Sequence, residues 1–354
     1  MGCCEYTGGM QVLARYCPGC GKTPSAAAYG ADSFHLRISH CPETLIWYLG
    51  AVLVFDTAGT LQVLNPRLEP VCSAAAPLPE GESTPVACEG FLYVPAKDGL
   101  YQLDLVAAAQ QRNVAVRRFS SAQMLSPLHV HGGHVYGVSG KPSPQLVACD
   151  QSGVCATFPL PVGVAGAMVF EPVIMGQFAF VTRQNSTVAW IVNLHSAVVT
   201  ECALGGQCVA TATGPNGMAF VITCGASQRI VEITATGVSV RLPKVSNEAT
   251  WLRFASTTNS FLWGNGASVT VQTNHGPRLI EERGNIAAPV IAGSRAVAIM
   301  QDSIKSFVVV IDAASGAVRE MLQIGEYGYS HLAAGADRVV AGNGTVLMSI
   351  AVKG

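Results

Sequence analysis

Short apolar runs punctuated by turn residues recur along this chain. Glu43-Thr44-Leu45-Ile46-Trp47-Tyr48-Leu49 is followed by a turn at Gly50-Ala51 and then by Val52-Leu53-Val54-Phe55-Asp56. A second turn at Ala58-Gly59 leads to Leu61-Gln62-Val63-Leu64-Asn65. The stretch from Thr84 repeats the phrase without a gap. Pro85-Val86-Ala87-Cys88 precedes a turn at Glu89-Gly90. Phe91-Leu92-Tyr93-Val94, a turn at Asp98-Gly99 and Leu100-Tyr101-Gln102-Leu103-Asp104 come next. Runs this short, rich in β-branched and aromatic residues and bounded by Gly, Asn and Asp, predict strands joined by tight turns.

The phrase returns six more times in looser form. The copies open near Pro127, Pro172, Cys208, Trp251, Ala288 and His331, and carry the runs 134–138, 178–181, 218–222, 261–263, 295–299 and 338–341. Successive copies start about 41 residues apart, the length of four antiparallel strands, which is one blade of a β-propeller. The predicted fold is therefore all-β, a propeller of eight blades, with seven as the alternative if one degenerate copy is not a blade. The last copy stops after three strands. Phe34-His35-Leu36-Arg37-Ile38-Ser39 alternates apolar and polar residues ahead of the first full copy. It is the predicted closing strand, since pairing one terminus with the other removes a free edge. The domain division predicted is a cysteine-rich segment at 1–42, which includes this strand, and a propeller at 43–354.

Composition sharpens the class. Of 354 residues, 49% are hydrophobic and only 12% charged, with 37 glycines and 19 prolines. That excludes a disordered chain and a helical bundle. A net charge of −1 without a long Lys/Arg run offers no field for nucleic acid. No apolar run reaches the roughly 18–20 residues that span a bilayer. The first residues lack the basic and apolar regions of a signal peptide. Met1-Gly2-Cys3-Cys4 hints at acylation, but Tyr6 stands where that pattern needs Ser or Thr. The expected location is the cytoplasm.

In the blade around Val308-Val309-Val310-Ile311-Asp312-Ala313-Ala314-Ser315-Gly316-Ala317-Val318 the sequence resembles the repeat of the PQQ-like (or more broadly WD-like) β-propeller family. There a strand ends in Leu-Asp, a Thr/Ser-Gly turn comes after it, and the next strand ends in Trp. Asp104 and Asn193 stand at the corresponding place in other repeats, while Glu320-Met321 replaces the docking tryptophan. The resemblance implies the fold. Quinone chemistry does not carry over, because Cys3-Cys4 precedes the propeller where the family's cysteine pair lies inside it.

Five of the 12 cysteines crowd into the first 41 positions. Cys17-Pro18-Gly19-Cys20-Gly21 has the spacing of a zinc knuckle, in which a tight turn aims two thiolates at one tetrahedral ion. It resembles a zinc ribbon without the second Cys-x-x-Cys. The expected structural zinc is held by Cys4, Cys17, Cys20 and Cys41, with Cys3 and His40 as substitutes; a reduced, metal-free tail and a redox dithiol are the alternatives. The other seven cysteines read as reduced small hydrophobes.

His129-Val130-His131-Gly132-Gly133-His134 is the only histidine cluster. On a strand His129 and His131 share a face and can hold a metal in the propeller's channel; the competing reading is polar residues at a strand end. The Gly-rich stretches 205–206 and 214–217 lack a following Lys-Ser/Thr and read as turns. No Gly-x-Ser-x-Gly elbow is present. With no catalytic motif, the expected function is a non-enzymatic protein–protein interaction scaffold within a larger complex. The alternative is an enzyme or small-ligand binder using the channel.

Overall fold

The structure is a computed structural model, which describes residues 11–12, 34–39, 42–56, 60–75, 85–96, 98–106, 116–121, 123–140, 143–165, 168–224, 226–245, 248–281, 284–326, 328, 331–335 and 338–351. These residues form eight antiparallel sheets, numbered here as blades 1 to 8, with first strands starting at 42, 86, 129, 173, 207, 251, 285 and 331. In blades 1 to 6 consecutive strands pair in chain order; blade 7 splits its first strand into Asn285–Ile286 and Val290–Ala292. The eight blades match the repeat count expected from the sequence. Helix is scarce among the described residues: Leu105 and Val106 are helical after the third strand of blade 2, and Val162–Val164 form a 3-10 turn.

Blade 8 is composite. His331–Ala334, Arg338–Asn343 and Val346–Ala351 supply three strands. Phe34–Arg37 pairs antiparallel with the third, from Phe34 opposite Ser349 to Arg37 opposite Val346. The Ile38 N–H then donates to the Thr345 carbonyl at 2.9 Å. The third strand, buried along Val346 to Ile350, thus has a partner on both edges.

Contacts divide the chain into two compact units, 1–77 with 255–354, and 78–254. Within each, apolar residues pack between successive blades. In the first unit Val52, Val54 and Leu64 of blade 1 meet Ala333, Val340 and Leu347 of blade 8, and Val297, Ile299 and Val308 of blade 7 meet Val339, Met348 and Ile350 of blade 8. In the second, Tyr93 and Leu100 of blade 2 meet Val135 and Val147 of blade 3. Tyr136, Val138 and Leu146 of blade 3 meet Ala179, Val181 and Trp190 of blade 4. Phe180 and Ala189 of blade 4 meet Phe220 and Val231 of blade 5. A blade covered on both faces buries successive residues of its middle strands, which is why Ala51–Asp56, Phe91–Ala96 and Arg295–Gln301 read as near-continuous apolar runs.

The Asp or Asn that ends or directly follows the third strand in blades 1, 3, 4 and 7 has a local task. Its Oδ1 accepts the next backbone N–H groups, closing an Asx turn into the fourth strand. Asn65 accepts from Arg67 at 2.8 Å, Asp150 from Ser152 at 2.7 Å, Asn193 from His195 at 2.9 Å and Asp312 from Ser315 at 2.8 Å. Thr234 and Thr273 hold the equivalent positions in blades 5 and 6 and accept through their hydroxyls.

Candidate functional site

The histidine motif forms the first hairpin of blade 3. His129–His131 pairs with His134–Ser139 in the register His129 to Tyr136 and His131 to His134. The two-residue turn is Gly132-Gly133, with φ of 56° and 75°. Both central residues of a type I′ turn need positive φ, which glycine supplies without a Cβ penalty. Gly133 has a second constraint, since a Cβ there would stand 2.6 Å from the Glu89 carboxylate.

This first strand touches the first strands of blades 2 and 4. From the approach to blade 4, 42 positions after His129, Glu171 Oε1 reaches His129 Nδ1 at 2.9 Å. The imidazole is the more sheltered partner, its side chain 14% exposed against 53% for Glu171. A carboxylate only accepts, so Nδ1 carries the proton and Nε2 of the neutral ring carries the lone pair. The His131 ring lies parallel to His129, with centroids 6.5 Å apart and planes 17° from parallel. His134 Nδ1 contacts the Gly132 carbonyl at 3.0 Å. Arg253, in the first strand of blade 6, keeps accessible surface although protein atoms crowd its guanidinium. Burial lowers its pKa and the nearby Glu171 charge raises it.

Blade 5 carries a second polar arrangement. Glu232 is fully buried in its third strand. Its Oε1 accepts the Asn216 N–H at 2.8 Å within the Gly214–Gly217 turn, and its Oε2 accepts Arg241 Nε at 2.6 Å and Arg241 Nη2. Arg241 sits on the fourth strand, Gly237–Val245, an edge whose residues 237–241 are all exposed. Val238 and Val240 are 47% and 54% exposed, and lie on the same face by the two-residue period of a strand. The regular edge ends after Val240, where the register shifts, and Pro243 and Lys244 guard the remainder of the strand against pairing. An open depression beside its start is lined by Asn216, Thr234, Thr236, Val238 and Ser239.

Cys3, Cys4, Cys17, Cys20, His40 and Cys41 lie outside the described residues. Cys72, Cys88, Cys149, Cys202 and Cys208 are free thiols; burial pushes Cys208 up to about 12. Among the described residues no three His, Cys, Asp or Glu side chains stand close enough to share a metal ion. Trp190 and Trp263 are core, and Trp47 and Trp251 are half-buried. The Gly214–Gly217 stretch is a turn, closed by the Gly214 N–H on the Gly217 carbonyl at 2.7 Å. Glu171, Arg253 and the Glu232–Arg241 pair had no local signal in the sequence. The one available hint for Glu171 was its place one repeat beyond His129.

No family model and no curated protein matches the chain. Solved structures do. A computationally designed protein, Ika8, superposes with a TM-score of 0.66 at 13% identity, covering 89% of this chain and 98% of that one. The Dos1 propeller gives 0.63 at 11% identity, covering 90% and 93%. The dihydro-heme d1 dehydrogenase NirN gives 0.61 at 14% identity, covering 87% and 72%. At such identities the likeness shows the fold, an all-β propeller of eight blades. As 1011 solved chains share a likeness of this kind, it specifies neither ligand nor partner. No helix among the described residues is long and apolar enough to cross a membrane.

Proposed function

We propose that the protein is a non-enzymatic scaffold that binds an extended segment of a partner protein along the fourth strand of blade 5, as a subunit of a larger cytoplasmic complex. The observation that carries this reading is the open edge at 237–240. A partner strand added there gains main-chain hydrogen bonds, while side-chain sites beside the edge supply selectivity. Val238 and Val240 favour a segment apolar at alternate positions, and the Asn216, Thr234 and Thr236 depression favours a polar side chain at its end. Five free thiols fit a reducing compartment.

The N-terminal cysteines enter this reading as a second docking element held by structural zinc on Cys4, Cys17, Cys20 and Cys41, with Cys3 and His40 as substitutes. Serine at Cys17 and Cys20 is expected to remove the bound zinc, measured as metal per chain; zinc retained by that variant overturns the assignment.

The scaffold reading is tested by quantitative affinity isolation from the native cell of the wild type and of a V238K/V240K variant. Both substitutions lie on exposed positions, so the thermal midpoint should stay unchanged. A defined partner enriched with the wild type and lost with the variant supports the reading; identical partners at identical yield refute it.

A further inference from the structure

We propose that His129 and His131 form a two-imidazole site for a borderline transition-metal dication, with Glu171 holding His129 in the ligating tautomer. The inference is independent of the blade 5 edge. Metal-binding histidines characteristically give their other ring N–H to a carboxylate, which orients the ring and raises its basicity. Glu171 does this to His129 at 2.9 Å, from the approach to a different blade, and so places the neutral ring's lone pair on Nε2. The hydrogen bond to Nδ1 gives this carboxylate the role of orienting group. His131 presents a second, nearly parallel imidazole from the same face of the strand. With metal–nitrogen bonds of about 2.0–2.1 Å, the two rings must close from 6.5 Å by about 1.5 to 2 Å, depending on the ion's geometry, to share one ion. His131, exposed beside a Gly-Gly turn, can supply that movement by changing rotamer. His134 keeps its own contact to the Gly132 carbonyl.

Two protein ligands leave the remaining coordination positions to solvent or to a small ligand, so the ion is held exchangeably. Imidazole donors suit nickel, copper and zinc over calcium or magnesium. The experiment is calorimetric titration of Ni(II) into the full-length chain preloaded with one equivalent of Zn(II), which occupies any four-thiolate site ahead of a weaker two-imidazole one. The wild type should show one Ni(II) event. H129A and H131A should each abolish it, and E171A should weaken it about 10- to 100-fold. Glu171 and His131 are exposed, so their variants should keep the wild-type thermal midpoint. No Ni(II) event in the wild type, or one that persists in H131A, overturns the site. An event of unchanged affinity in E171A overturns the role given to Glu171.

Discussion

Replacing Arg241 by alanine strips a fully buried carboxylate of the cation that hydrogen-bonds it. In the native arrangement Glu232 Oε1 is satisfied by the Asn216 N–H at 2.8 Å, and Oε2 depends on the Arg241 fork, whose side chain is 34% exposed. Removing one partner of a buried ion pair costs about 3–5 kcal/mol, because the remaining charge is left dry and unpaired. Arg241 is partly solvated and the Asn216 bond survives, so the lower end, about 3 kcal/mol, applies here. The assay is equilibrium urea denaturation followed by tryptophan fluorescence. With a slope of about 3 kcal/mol/M the midpoint should fall by about 1 M. A second variant separates charge from lost contact. E232Q/R241A carries no buried charge, and should regain about 1–2 kcal/mol relative to R241A, since its cost is only an unsatisfied amide. A double variant no more stable than R241A would refute the argument, and so would an R241A midpoint equal to that of the wild type.

Three further outcomes are expected. Burial raises the Asp312 pKa, but the hydrogen bonds from Arg319 and Ser315 outweigh it and bring the group to about 2 from 3.8. A depressed pKa contributes stability above pH 3.8 that is lost as pH falls towards 2. D312N keeps an Asx turn of the kind Asn65 and Asn193 make, so its thermal-midpoint deficit should be full above that window and shrink within it; a deficit independent of pH contradicts this. Cys208, fully buried and raised to about 12, should resist iodoacetamide in the native protein and react only on unfolding, as read by peptide mass. Deleting residues 1–39 removes Phe34–Arg37 and exposes one edge of Val346–Ala351. Compared with deletion of 1–32, it should lower the thermal midpoint by roughly 5 °C or more and promote oligomers in size-exclusion chromatography; equal behaviour of the two truncations contradicts a stabilising role for that strand.

Much of the fold was legible because its determinants are local and repeated. Each copy states its own strands through apolar runs, and its own turns through residues such as Asn65, Asn193 and Asp312 whose side chains cap the next backbone N–H groups. Eight phrases at one period specify eight blades, since a blade finds its partners by pairing with its own neighbours in sequence. The candidate sites were only half legible. His129 and His131 stood out as a pair, because a strand's two-residue period puts them on one face. Their carboxylate did not, because the 42 residues between His129 and Glu171 become one hydrogen bond only when neighbouring blades meet.

The same distinction holds for blade 5. In the sequence Glu232 is a polar residue between the apolar Val231 and Ile233, and nothing there marks it or residues 237–245 as a site. Tertiary structure decides that the strand is an open edge, that Glu232 is buried, and that Arg241 turns back to meet it at the register shift. Hydrophobic periodicity and turn chemistry are written residue by residue, and so determine the blades. Burial, charge pairing and the convergence of side chains from separate repeats exist only once those blades pack, and it is there that both candidate sites arise.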